Sequence, residues 1–152
     1  MKILKIILIF FCFQSFAQSK KIDAYIKKID NSQFSIVHGT AATFSMSSPA
    51  AFKLIKIGKR ATAKLIMALN DSTKTIMAHL VLCHIYFKHV SFAGPKIVSN
   101  IDKDISKYYL GEEKGEGLII SETEISHTIY NKYIETKDLE KIKGYWQKKV
   151  KG

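Results

Sequence analysis

His79 and Cys83 stand four residues apart in the apolar run TIMAHLVLCHIYF and are the first place to look for chemistry. On a helix that separation puts an imidazole and a thiol on one face, the arrangement a zinc site or a Cys-His pair requires. Structural zinc takes four ligands, and no CxxC, HxxxH or HExxH motif accompanies the pair. His79, His84 and His89 step by five, which turns successive side chains about 140° apart, so a single helix does not bring the three to one ion. Cys83 also falls in the apolar row 76, 80, 83, 87, a place for a small buried hydrophobe. A metal site at His79 and Cys83 is therefore the lesser expectation, and no cofactor is expected.

Carboxylates are the second source of chemistry. Glu112, Glu113, Glu116, Glu122 and Glu124 gather in a glycine-rich turn and its flank, where a solvated hairpin tip accounts for them. The run GEEKGEG lacks the spacing and the terminal Lys-Ser/Thr of a phosphate loop, and its glutamates repel anions. A small hydrolase-like enzyme would draw its acid or base from His127, Tyr130 or one of these glutamates, in a pocket between the helices and the hairpin. This is the alternative to a non-catalytic reading.

The basic surface is the strongest feature outside the core. The chain has 152 residues, 24 of them Lys or Arg against 13 Asp or Glu, for a formal net charge of +11. Lys53, Lys56, Lys59, Arg60 and Lys64 fall within one short stretch, and Lys141, Lys143, Lys148, Lys149 and Lys151 crowd the C-terminus. Such patches attract phosphate-bearing or otherwise anionic partners and gain affinity from counterion release. Lysines dominate, and a lysine is a point charge without the planar fork of arginine, so the competing reading is a solubilising face.

These residues depend on a stretch that reads as three consecutive helices, near 49–57, 61–69 and 74–87. Ser48 is the expected N-cap of the first, with Pro49 at its first position. Leu65, Ile66 and Leu69 line one face of the second, and Asp71, Ser72 and Thr73 are expected to cap the third. That third helix has two adjoining apolar rows and should be the most buried. Over residues 52–87, LIKIGKRATAKLIMALND followed by TIMAHLVLCHIYF resembles a HEAT-type repeat, present once as a partial unit, with Thr62 where the family usually has proline. The resemblance implies an interaction scaffold, since such units stack to present extended surfaces.

Around that unit, Ile22, Tyr25, Ile26 and Ile29 predict an amphipathic helix near 20–29. Residues 31–48, rich in Ser, Thr, Ala and Gly, read as a loop or partly ordered connection. Gly94-Pro95 reads as a break. Alternating segments on either side of the glycine-rich turn predict a small antiparallel sheet over about 107–134. Leu139, Ile142, Trp146 and Val150 set the stripe of a C-terminal helix near 137–150. The fold class is α+β, with the helical HEAT-like unit as its core.

Residues 1–17 carry Lys2 and Lys5, then an apolar run of about eight residues, then Ser15 and Ala17 before a cut. That is the pattern of an export signal, and the run falls short of the ~20 residues a bilayer span takes. Removal leaves 22 basic and 13 acidic side chains, net +9, and one cysteine, Cys83, in a single domain of residues 18–152. The expectation is an exported, periplasmic or secreted, binding or scaffold protein whose basic helical face meets a protein or an anionic envelope component. Contact with a membrane surface fits that reading, and export argues against nucleic acid.

Overall fold

The computed structural model describes residues 18–99, 104–112, 117–126 and 129–151. Among them are α1 (18–26), β1 (Phe34–Val37), β2 (Thr43–Met46), α2 (Pro49–Ile57), α3 (Thr62–Ala68), α4 (Thr75–Tyr86), β3 (Ser91–Ser99), β4 (Asp104–Gly111), β5 (Gly117–Ser126), β6 (Ile129–Tyr133) and α5 (Thr136–Lys149). The fold is α+β, as the sequence patterns predict. The export signal read over 1–17 lies outside the described residues. No helix among the described residues is long and apolar enough to cross a membrane.

Apolar spacing explains the helical layer. Ser48 Oγ accepts from the Ala51 amide at 3.3 Å and opens α2, with Pro49 following where its missing N–H costs nothing. The helix stops at Gly58, whose φ of 70° a side-chain-bearing residue rarely adopts, and a 3-10 turn over Gly58–Ala61 leads into α3. Leu65, Leu69, Leu80 and Leu82 are all fully buried. In α4 every residue from Thr75 to Cys83 is buried, because it packs on α2 and α3 on one side and on β4 and β5 on another.

The start of α4 departs from expectation. Asp71 Oδ1 accepts from the Thr73 amide and hydroxyl, so it folds the turn and does not cap the helix. The free amides of Ile76 and Met77 donate instead to Asn31 Oδ1, at 2.9 and 3.3 Å. Asn31 also donates from its backbone to Thr73 and from its side chain to Ser72. A helix end needs acceptors for its first amides, and here a residue more than forty positions away supplies one.

Residues 31–48 are therefore not a loose connection. They form a 3-10 turn over Asn31–Gln33 and the antiparallel hairpin β1–β2, with Phe34 opposite Met46. Phe34 stacks on Phe44 and meets Phe92 edge-on, and Phe92 stacks on Tyr108, so a file of rings joins the hairpin to the larger sheet. The sheet also begins earlier than expected, in the order β3-β4-β5-β6, all antiparallel. Gly94-Pro95 does not end the chain's extended run. It sits in a bulge of edge strand β3 between Ala93 and Lys96, where a proline costs no ladder bond.

On β4 and β5 alternate residues Tyr108, Leu110, Leu118 and Ile120 face the helices and are buried. Gly117 lies where β5 runs close beside β4: a Cβ there would sit 2.4 Å from the Leu110 carbonyl oxygen. Helix α5 packs Ile142 and Trp146 inward as the stripe predicts, while Val150 falls just past the helix and is exposed. Gly144 within α5 has open space around it. Two substitutions should therefore move stability in opposite directions, read as denaturation midpoints. Gly144→Ala should stabilise by about 0.5–1 kcal/mol from helix propensity. Gly117→Ala should destabilise by roughly 1–3 kcal/mol, because backbone must shift to admit the methyl group.

Candidate functional site

His79 is fully buried, and both its nitrogens are engaged. The Trp146 indole N–H donates to Nδ1 at 2.9 Å, so Nδ1 carries no proton. Nε2 then holds the hydrogen and donates it to the Leu110 carbonyl at 2.7 Å. Burial pushes the imidazole pKa down to about 4, against an ordinary value of 6.5, with the Leu110 bond opposing only part of the shift. Cys83 Sγ lies 3.3 Å from Nε2, and burial pushes its thiol well above the usual range, so it stays protonated. The spacing of four does bring His79 and Cys83 together. Their company is an indole and a peptide carbonyl, and no group of three or more His, Cys, Asp or Glu among the described residues could hold a metal ion. This is a structural knot tying α4, β4 and α5.

The basic stretch is split by the fold. Lys53, Lys56, Lys59 and Arg60 are exposed on α2 and the 3-10 turn that follows. Lys64 is half-buried and forms an ion pair with Asp23 of α1 at 2.6 Å. Arg60 donates to the side chain of Gln18 at 3.0 Å, and the Lys59 ammonium lies 5.5 Å from the centre of the Tyr86 ring. Lys53 and Lys56 make no ion pair among the described residues. Phe52 stands beside them, 55% exposed. The C-terminal lysines are more committed: Lys149 pairs with Glu112 and lies over Phe87, and Lys143 pairs with Glu140.

A third place gathers titratable groups that the sequence reading separates. Glu122 is 3% exposed, so it does not belong to a solvated hairpin tip. Alternation along β5 explains why: Leu118, Ile120 and Glu122 share one face, and the inward series continues past the last apolar residue. His38, just beyond the end of β1, brings Nε2 to 3.3 Å from Glu122 Oε2 and Nδ1 to 3.4 Å from the Tyr108 hydroxyl. The first of these is within ion-pair range but lacks hydrogen-bond geometry, and Oε2 has no hydrogen-bond partner. Burial first, and the Glu122 carboxylate second, raise the Tyr108 phenol to about 12. Asp104, Ser106, Glu122, Glu124 and Tyr130 line a hollow of about 260 Å³ there. Of the side chains a hydrolase-like site would draw on, Tyr130, Glu122 and Glu124 meet in this hollow and Glu112 lies elsewhere, paired with Lys149. His127, Glu113 and Glu116 lie outside the described residues.

No protein-family model, curated protein or solved structure matches the chain.

The His79 knot has a pH signature. An unfolded imidazole takes a proton near 6.5 and the folded one only near 4, so within that window the unfolded state binds more protons and stability rises with pH. The contribution is present in full above the unfolded pKa and lost as pH falls toward the folded one, by roughly 2 kcal/mol between about pH 7 and pH 5. Urea midpoints across this range should show that loss. In His79→Gln the profile should flatten, with stability at neutral pH lowered by about 1–3 kcal/mol.

Proposed function

We propose that the chain is an exported, non-catalytic binding protein that docks on an anionic surface of the envelope or secreted space through the face of α2 and the turn after it. The observation that carries this reading is the exposure of Lys53 and Lys56 beside an exposed aromatic, Phe52, on α2, with Lys59 and Arg60 exposed on the turn that follows. Phe52 and Lys56 are four apart on α2 and share a face, and Lys53 flanks them. A ring that inserts at a headgroup boundary beside ammonium groups that meet phosphates is the chemistry of interfacial attachment.

Two further features lean the same way. The Lys2 to Ala17 pattern supports export, and outside the cytoplasm acidic polymers and lipid headgroups are abundant anions. The resemblance of residues 52–87 to a HEAT-type unit favours a surface-presenting role. Of the groups a hydrolase-like alternative would draw on, Tyr130, Glu122 and Glu124 line one hollow, and the Tyr108 phenol beside them, raised to about 12, is a poor acid or base near neutrality.

The test is co-sedimentation with phosphatidylcholine vesicles, with and without a phosphatidylglycerol fraction. Binding should require the anionic lipid and fall as salt rises. Replacing Lys53, Lys56 and Arg60 together by Gln should weaken it at least tenfold, at about 1 kcal/mol per charge, while thermal stability moves little. Binding that persists unchanged at high salt, or in the triple variant, would remove this face from the reading.

A further inference from the structure

Gln18 follows directly on Ala17, the residue after which the leader pattern predicts a cut, and it is the first described residue of α1. Its place is fixed by the turn that comes next. Ile22, four residues on and on the same helix face, is buried, and Asp23 pairs with Lys64 at 2.6 Å. Gln18 therefore turns toward the fold and is half-buried, and its Oε1 accepts from the Arg60 guanidinium at 3.0 Å. Chain ends are ordinarily loose unless tied down. This residue has a tie to the turn after α2, far along the sequence.

A glutamine with a free α-amino group carries both halves of a condensation. The neutral amine attacks Cδ of its own side chain, and a new N–Cδ bond closes a pyrrolidone ring. The Cδ–Nε2 bond then breaks. The side-chain nitrogen leaves as ammonia with one of the amine protons, while the other proton stays on the lactam nitrogen. Nothing is oxidised or reduced, and no second reactant is consumed. Negative charge gathers on Oε1 as the tetrahedral carbon forms, and Oε1 is the atom to which Arg60 donates. The same oxygen becomes the lactam carbonyl, so the acceptor for Arg60 survives in the product. The product also suits its place. An α-ammonium would sit at the N-terminal end of α1, where the helix dipole disfavours a cation, with Arg60 at the side chain of the same residue and Lys20 and Lys21 following. Ring closure removes that charge and leaves a neutral N–H.

We propose that Gln18 becomes the N-terminal residue on export and closes to pyroglutamate, with Arg60 promoting the closure and then holding the lactam carbonyl. The modification presupposes the export reading and a cut after Ala17. A closed ring offers aminopeptidases no α-ammonium to grip, and its bond to Arg60 fastens the first turn of α1 to the turn after α2.

The test expresses the whole chain, leader included, in a bacterium that exports it, and reads the purified protein by intact mass and by tandem mass spectrometry of its first peptide. The expected species begins at Gln18, is lighter than the open chain by one ammonia, and is blocked to stepwise degradation from the N-terminus. Gln18→Asn, whose shorter side chain would close only a strained ring, should be cut at the same bond and stay open. Closure is timed as the open fraction in protein purified rapidly and then held at neutral pH. Arg60→Ala, at an exposed position, should slow it about fivefold, the size of one exposed charged contact. Arg60→Lys, which keeps the charge without the planar fork, should recover part of the rate. A chain that keeps residues 1–17 would overturn the export reading and the modification together. A cut at another bond, or a cut after Ala17 with Gln18 still open after days of incubation, would overturn the modification alone. An unchanged rate in Arg60→Ala would overturn the part assigned to Arg60.

Discussion

His79 sits where three elements meet, and its ring satisfies a donor on one and an acceptor on another. Trp146 of α5 needs an acceptor for its buried indole N–H; the Leu110 carbonyl of β4 needs a donor; the imidazole of α4 serves both at once. Only the neutral tautomer with hydrogen on Nε2 can do this, and the buried setting enforces it by raising the cost of the cation. Much else follows from that constraint. The C-terminal helix is held at a fixed place against α4, with Tyr86, Phe87 and Tyr145 packed around the indole. Gly117 then has to be a glycine, since a side chain there would press on the very carbonyl that His79 binds.

A second constraint joins the start of the domain to its centre. Asn31 caps α4 from outside the helical unit, and the 3-10 turn that presents it is itself held by a reciprocal pair of bonds between Asp30 and Gln33. The hairpin that follows brings Phe34 into the core and His38 to the edge of the acidic hollow. One short segment thus supplies a helix cap, a core ring and an imidazole beside Glu122. The partly ordered connection read from composition is, in the fold, the brace between helices and sheet.

How far the sequence could be read depended on period and length. Helices α3 to α5 repeat their apolar residues over successive turns, and their stripes were legible at Leu65, Leu69, Leu80, Ile142 and Trp146. Strands β1 and β2 also alternate, Phe34 and Ile36 inward and Phe44 and Met46 on the second strand, but over four residues each amid Ser, Thr and Ala. So short a signal is lost in such surroundings. Glu122 was missed for a different reason: its charge suggested solvent, whereas its place two residues beyond Ile120 on the same strand face pointed inward.

The amino-acid order alone determined which segments coil, which faces they bury and where the net positive charge collects, because helix periodicity and side-chain hydration act locally. Only the tertiary structure decided what His79 binds, which residue caps α4, which lysines pair with carboxylates, and that His38 stands beside Glu122. Those outcomes rest on groups brought together from opposite ends of the chain. A bond between them depends on angles and distances of a few ångströms set by packing, and sequence spacing carries no record of those.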